Sequence, residues 1–354
     1  MRLGVLTSGG DCPGLNAVIR AVVRTATGCY GDQVTGFHDG FLGLLSDGVR
    51  RPLNVNDVRG ILPLGGTILG TTNKGPFQLD PSGAPRADCA VSFQEVVTNW
   101  RESGLDCLIA IGGDGSLRIA RAMQRLGVSI IGVPKTIDND LNATERTFGF
   151  DTAVAIATEA LDRLHTTASA HHRVMVCEVM GRDAGWIALH SGLASGADAI
   201  LIPEIGFDWD ALTRLIARRR EHGRLYTLIV IAEGAQPRGG QQVYQDAGRL
   251  GGIGHLVADE LARRTSEETR VTVLGHVQRG GTPTPFDRVL ATRYGEAAAH
   301  LAHQGRQNVM VALRADEIVD VPLDEAVSVT RRVPVDGQLV TVARNIGLVF
   351  GDEV

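Results

Sequence analysis

Short runs of aliphatic and β-branched residues alternate along nearly the whole chain with stretches whose apolar positions recur every three or four residues. The apolar runs lie at 3–7, 108–111, 129–133, 174–179, 199–202, 225–232 and 271–274. They lack polar–apolar alternation, the pattern of strands buried on both faces of a parallel sheet. The helical pattern covers 15–26, 92–102, 117–126, 152–169, 186–195, 210–220 and 254–264. In the fourth of these, Val154, Ala157, Leu161 and Leu164 form one apolar stripe, with Asp151 placed to cap the start. Strand–helix alternation over this length predicts an α/β fold with mainly parallel sheets. Segment 234–252, rich in Gly, Gln and Arg, reads as an exposed loop between two α/β stretches. The final stretch, 320–354, reads as a late hairpin or a subunit contact.

The length, 354 residues, suits two compact domains or one large α/β unit. Asp and Glu outnumber Lys and Arg by 40 to 35. That balance argues against nucleic acid or an anionic membrane as main partner, while leaving room for a local cationic pocket. The five cysteines are scattered without a C-x-x-C pair, which predicts neither a disulfide framework nor a zinc site. The opening residues lack the pattern of a signal peptide, and no run reaches the roughly 18 apolar residues of a membrane span. A soluble, cytoplasmic protein is expected.

Of the 44 glycines, many sit just after apolar runs, where a strand hands over to a loop. In α/β proteins such junctions bind ligands. The first is Thr7-Ser8-Gly9-Gly10-Asp11, whose bare amides ahead of a helix form an anion cradle or simply a tight turn. The second is Gly112-Gly113-Asp114-Gly115-Ser116. A carboxylate approaches phosphates through a bound cation, so Asp114 points to Mg²⁺ beside a nucleotide; a helix N-cap is the plainer alternative. The third, Pro134-Lys135-Thr136-Ile137-Asp138-Asn139-Asp140, sets two carboxylates two residues apart after a strand. Asp138 there can serve as a base, or both can be turn-forming residues. Arg173, Arg182, Arg270 and Arg279 are candidates for gripping phosphate, since guanidinium forks match it, although a lone arginine is more often a solvated surface group.

Taken together, residues 7–11, 112–116, 134–140, 178–182 and 275–281 resemble the signatures of the 6-phosphofructokinase family, in that family's order. The resemblance runs from residue 1 to about 300. It implies two Rossmann-like lobes with an active-site cleft between them. The donor lobe would comprise 1–138 plus about 250–301, and the sugar-phosphate lobe 139–249 plus about 302–354. By that likeness Gly10, Gly113, Asp114, Gly115 and Ser116 handle the donor, with Asp114 linked to Mg²⁺. Asp138 is the base for the sugar 1-hydroxyl, Thr136 contacts the same end, and Arg182 offsets charge in transit. Met180, Gly181, Arg182, Glu233, His276, Val277, Gln278 and Arg279 would line the fructose 6-phosphate site. Arg173 and Arg270 would reach it from a neighbouring subunit, which implies a homo-oligomer, dimer or tetramer.

Three departures from that pattern bear on function. Many bacterial relatives place Arg-Phe where this chain has Asn73 and Lys74, so Lys74 is a substitute donor contact. Arg20, Arg24 and Arg224 resemble effector-site cations, but His165 replaces an arginine there. Gly115 resembles ATP users and Lys135 resembles pyrophosphate users. An Asp at 115 would crowd the α-phosphate, so Gly115 carries more weight: ATP is the expected donor and pyrophosphate the alternative. A different G-G-D-G kinase acting on a lipid or dinucleotide would lack the 180–182 and 276–279 segments, and a non-catalytic nucleotide sensor would not need Asp138.

Overall fold

The structure, a computed structural model, describes residues 1–246 and 249–353. The chain opens with β1 (Arg2–Ser8), α1 (Leu15–Tyr30), β2 (Gln33–Phe37) and β3 (Arg50–Leu53). After a long loop come α2 (Ala90–Ser103), β4 (Cys107–Gly112), α3 (Asp114–Arg125) and β5 (Ile130–Thr136). A short β6 (Phe148–Gly149) leads into α4 (Phe150–His171), then β7 (Val174–Val179), α5 (Trp186–Ser195), β8 (Ala199–Leu201), α6 (Trp209–Glu221) and β9 (Thr227–Ala232). The small ladder of β10 (Tyr244–Asp246) and β11 (Arg249–Leu250) precedes α7 (Ile253–Thr265) and β12 (Thr269–Val273). Helix α8 (Pro285–His303), β13 (Val309–Arg314), β14 (Glu317–Pro322), α9 (Leu323–Ala326) and α10 (Gln338–Asn345) follow. No helix among the described residues is long and apolar enough to cross a membrane.

Two compact units result. Unit 1 contains 1–136, 141–151 and 279–330. Its sheet has the order β14-β13-β5-β4-β1-β2-β3, parallel from β13 to β2 and closed by an antiparallel strand at each edge. From β1 the chain crosses to β2 on one side, and from β4 to β5 on the other. The connections therefore diverge between β1 and β4, the place where open α/β sheets take ligands. On one flank, α1 packs against α8. Gly295 permits the close approach, because a Cβ there would lie 2.6 Å from the Val18 carbonyl oxygen.

Unit 2 contains 137–140, 152–278 and 331–354. Its four strands, in the order β12-β7-β9-β8, are all parallel. Val174, Val176, Ile229 and Ile231 bury their side chains in one core with Leu212 and Leu215 of α6 and Val257 and Leu261 of α7. β12 is an edge strand.

The parallel α/β fold stands as read from the apolar periodicity, but the domain boundaries move. Residues 250–278 join unit 2, because β12 pairs with β7. Residues 302–330 join unit 1, because β13 pairs with β5. Strand β5 continues through Lys135 and Thr136, which pair with Phe148 and Gly149 of β6. Those two residues are therefore buried strand positions and not loop. Asp114 is the first residue of α3 and not its cap, a place taken by Gly113. Asp151 lies inside the first turn of α4, where its carboxylate accepts the Thr284 hydroxyl at 2.6 Å. The segment read as loop at 234–252 includes the β10–β11 ladder. Of the late segment, 320–322 closes the β13–β14 hairpin and 338–345 is helical.

The α1–α8 approach gives a paired prediction. Gly295→Ala should destabilise the protein by on the order of 1–3 kcal/mol, since backbone must shift to admit the methyl group. Gly28→Ala, in α1 with no atom within 4 Å of the new Cβ, should stabilise by roughly 0.5–1 kcal/mol. Urea unfolding of the two variants measures both, and equal midpoints would show that Gly295 is not a packing constraint.

Candidate functional site

In unit 1 the ends of three neighbouring strands come level. Ser8 pairs with Gly112 across β1 and β4, and Gly112 with Pro134 across β4 and β5. The loops that leave these ends therefore meet at one place. The Ser116 hydroxyl donates to Ser8 Oγ at 3.2 Å, joining α3 to the end of β1. The Lys135 ammonium, buried at the end of β5, donates to the Gly10 carbonyl. Arg279 donates from Nη1 to the Asp11 carbonyl at 3.2 Å, and its guanidinium lies against Gly10, where a Cβ would come within 2.9 Å of it. Backbone this tightly packed explains the glycines. Gly9 has φ of +84° and Gly14 of +109°, the region that favours glycine, and a Cβ on Gly14 would strike Phe148 at 2.7 Å.

The loop carrying Asn73 and Lys74 joins the same place. Thr72 accepts the Gly9 N–H at 3.0 Å, and the Thr71 hydroxyl donates to the Gly9 carbonyl at 2.7 Å. Asp114 opens α3, and Arg118 donates from Nε to its Oδ2 at 2.7 Å. A Cβ built on Gly115 meets no atom of the described residues within 4 Å. The expected residues Gly10, Gly113, Asp114, Gly115, Ser116 and Lys135 are thus gathered where strand ends, their loops and the start of α3 meet, beside Arg279 and the 71–74 loop.

Unit 2 gathers a second group at the ends of β7 and β9. Glu233 follows β9, and its carboxyl accepts the N–H groups of Gly181 at 3.3 Å and Arg182 at 3.0 Å. The Met180 N–H donates to Oε1 of buried Gln278 at 2.9 Å. The turn is tight: Gly181 has φ of +147° and Arg182, a non-glycine, +52°. Burial, reinforced by the negative charges of Asp138 and Glu178, pushes the Glu233 carboxyl up to about 7, against the pull of the two N–H groups. Asp138 is itself buried in the 137–140 piece. That piece is held by Arg331, whose N–H donates to the Asp140 carbonyl at 2.8 Å and whose Nη1 donates to that of Asn139 at 3.1 Å. The Arg331 guanidinium lies over the Trp186 ring at 4.3 Å from its centroid.

His276 and Val277 are exposed on the turn that precedes Arg279, while Thr136 is buried at the end of β5. Arg173 and Arg270 stand apart from the Glu233 group. Arg173 precedes β7 and Arg270 pairs with Met175, so both lie near the start of β7, whose far end leads to Met180–Arg182. Seven residues of extended chain separate Arg173 from Met180 by about 23 Å. Both arginines bind Glu268, Arg173 at 2.9 Å.

A family model of phosphofructokinase matches residues 2–302. The chain belongs to the phosphofructokinase family. An ATP-dependent 6-phosphofructokinase of Chloroflexus aurantiacus is 56% identical over 353 residues, covering 100% of this chain and 98% of its own. A pyrophosphate–fructose 6-phosphate 1-phosphotransferase of Amycolatopsis mediterranei is 52% identical over 343 residues, covering 95% of this chain and 97% of its own. Among solved structures, the phosphofructokinase of Saccharomyces cerevisiae superposes with a TM-score of 0.80 at 33% identity over 92% of this chain. This chain spans 45% of that larger yeast chain.

The phosphofructokinase signatures thus fall on the strand ends described above. Other residues of the site carried no such signature. Thr71 and Thr72 tie down Gly9 and Arg331 holds 137–140, whereas Glu178, which opens the 178–182 signature, accepts N–H groups of Gly252 and Gly254 at the start of α7, the closest at 2.8 Å. Only Arg118 had a legible signal, the four-residue spacing from Asp114 that puts both on one helix face.

A raised carboxyl has a signed effect on stability. Between its ordinary 4.5 and about 7, Glu233 keeps a proton in the folded protein that the unfolded chain has released. Its contribution to stability therefore falls as pH rises through that window and is level above it. Glu233→Gln keeps an acceptor for the two N–H groups but cannot titrate. Relative to the parent, it should gain on the order of 2–3 kcal/mol as pH goes from 4.5 to 7. Denaturation midpoints of the two proteins that run parallel across that range would show an ordinary carboxyl.

Proposed function

We propose that this chain transfers the γ-phosphoryl group of ATP to the 1-hydroxyl of fructose 6-phosphate, giving fructose 1,6-bisphosphate. One observation carries the choice of donor: apart from its chain neighbours and the backbone of α3 itself, a Cβ on Gly115 would have no atom of the described residues within 4 Å, and Gly115 stands at the start of α3, where the connections from β1 and β4 diverge. A nucleotide's α-phosphate needs that room, and an inorganic pyrophosphate does not. The Chloroflexus relative, matched over its length, is named for the same donor.

In this reading Gly10, Gly113 and Ser116 hold the donor phosphates on backbone and hydroxyl groups, with Lys74, Lys135 and Arg279 supplying charge. Asp138 accepts the proton of the sugar hydroxyl, and Arg182 offsets charge on the group in transit. Met180, Gly181, Glu233, His276, Val277 and Gln278 orient the sugar. The residues present suit Mg²⁺ carried on phosphates: Asp114 is a single, partly exposed carboxylate, and the described residues contain no cluster of three or more metal-ligating side chains. A magnesium ion bound by few carboxylates plus substrate phosphates is the usual arrangement. When bound, it would draw charge from the phosphates. Cytoplasmic location and a homo-oligomer, dimer or tetramer, belong to the same reading. Arg173 and Arg270, displaced from Glu233 within the chain, support their use by a neighbouring subunit, and Arg270 stands half exposed on edge strand β12.

A pyrophosphate-dependent reaction has one observation in its favour, the buried Lys135 ammonium at Gly10, and the Amycolatopsis relative carries that donor in its name. Competition assays decide. With both donors at equal concentration the protein should use ATP. Gly115→Asp should fold normally yet lose ATP turnover steeply, with pyrophosphate use unchanged or raised. Preference of the parent for pyrophosphate would overturn the donor reading.

The catalytic assignment and the oligomer are testable together. Asp138→Asn should lose on the order of 10²–10⁴ in turnover while still binding fructose 6-phosphate. Arg173→Ala should be inactive alone, and mixing the two proteins should restore some activity in hybrid oligomers. Full activity of an Asp138→Asn protein, or of a monomer in sedimentation, would reject the corresponding role.

A further inference from the structure

We propose that Arg118 is a positioning residue of the donor site. It neutralises the Asp114 carboxylate, so that donor phosphates can settle on the first turn of α3 before a cation is in place. The inference rests on the ATP reading above.

Asp114 and Arg118 are one helical turn apart, acid before base, the favoured order for such pairs. The Arg118 Nε donates to Asp114 Oδ2 at 2.7 Å. The side chains are 35% and 31% exposed, and a pair so placed contributes little to folding stability. The fold therefore does not account for it. Among the described residues the Arg118 guanidinium has no other hydrogen-bond partner, which leaves four of its five N–H groups for a ligand.

The electrostatics give the pair a use. The start of α3 presents unsatisfied N–H groups and the positive end of the helix dipole, both favourable to phosphate. Asp114 stands in the same turn with the opposite effect. A bound divalent ion would offset that repulsion; without one, Arg118 is the cation bound to the carboxylate itself. Arg279 is directed elsewhere, to the carbonyl of Asp11. Removing Arg118 should thus hurt donor binding most where no divalent ion is available.

The test is ATP binding to the full-length protein by calorimetry, in excess EDTA and in excess Mg²⁺. Arg118→Met keeps length and helix propensity, and Arg118→Lys restores the charge without the fork. The Met variant should bind ATP about tenfold more weakly in EDTA and about threefold more weakly, or less, with Mg²⁺. The Lys variant should fall between, and fructose 6-phosphate affinity should not change. An equal loss under both conditions, or no loss, overturns the proposal. So does tighter binding with Mg²⁺, which would make Arg118 a competitor of the ion. Parent protein that binds ATP in neither condition overturns the donor reading instead, and the same titrations with pyrophosphate then decide the role of Arg118.

Discussion

Parallel strands all finish at the same edge of a sheet, and in unit 1 that constraint governs the rest. Adjacent β1 and β4 end level at Ser8 and Gly112, opposite Pro134 of β5, which runs on two residues further. The loops that follow must share one small volume, and glycine is what allows it. At Gly9, with φ of +84°, a side chain would be strained and its Cβ would lie 2.9 Å from the Ser116 hydroxyl; at Gly10 it would displace the Arg279 guanidinium. Because the connections from β1 and β4 run to opposite sides, no crossover covers this meeting place. It is left to helix N-termini, bare amides and the few side chains they carry.

Unit 2 applies the same geometry to a different problem, which is keeping carboxylates buried. Glu178 and Glu233 end or follow neighbouring strands, and each meets backbone N–H groups aimed at it. For Glu233 burial outweighs those bonds, and its proximity to Asp138 adds to the effect. Glu204 shows the same balance: burial raises its carboxyl although the N–H groups of Gly185 and Val333 reach it. At 180–182 the N–H groups that reach Glu233 come from a turn with positive φ at both Gly181 and Arg182.

Charge is arranged locally and not by the chain as a whole. The protein is acidic overall, yet around the ends of β1, β4 and β5 Lys135 and Arg279 bind the loop after β1, and Arg118 pairs with Asp114 in α3. Net charge argues against partners that need a broad basic surface; it says nothing against a phosphate site a few residues wide.

The amino-acid sequence by itself determined the fold class and the places where chemistry gathers. Short apolar runs without alternation, set between helical patterns, read as strands covered on both faces, which holds for β4, β7 and β9 but not for edge strand β12. Glycines directly after such runs mark ends where backbone must turn sharply. That was enough to find 9–11, 112–116, 134–140 and 180–182. Tertiary structure decided everything that depends on partners far apart in the chain. Strand β5 runs on through Lys135 and Thr136 because β6 is there to pair with them. Residues 250–278 and 302–330 belong to the units they do because β12 pairs with β7 and β13 with β5. Thr72 meets Gly9 and Arg331 holds Asp140 across long separations. Local pattern reports which face of an element is buried. It holds no record of which distant segment does the burying, and hydrogen-bond pairing between strands is settled by that choice.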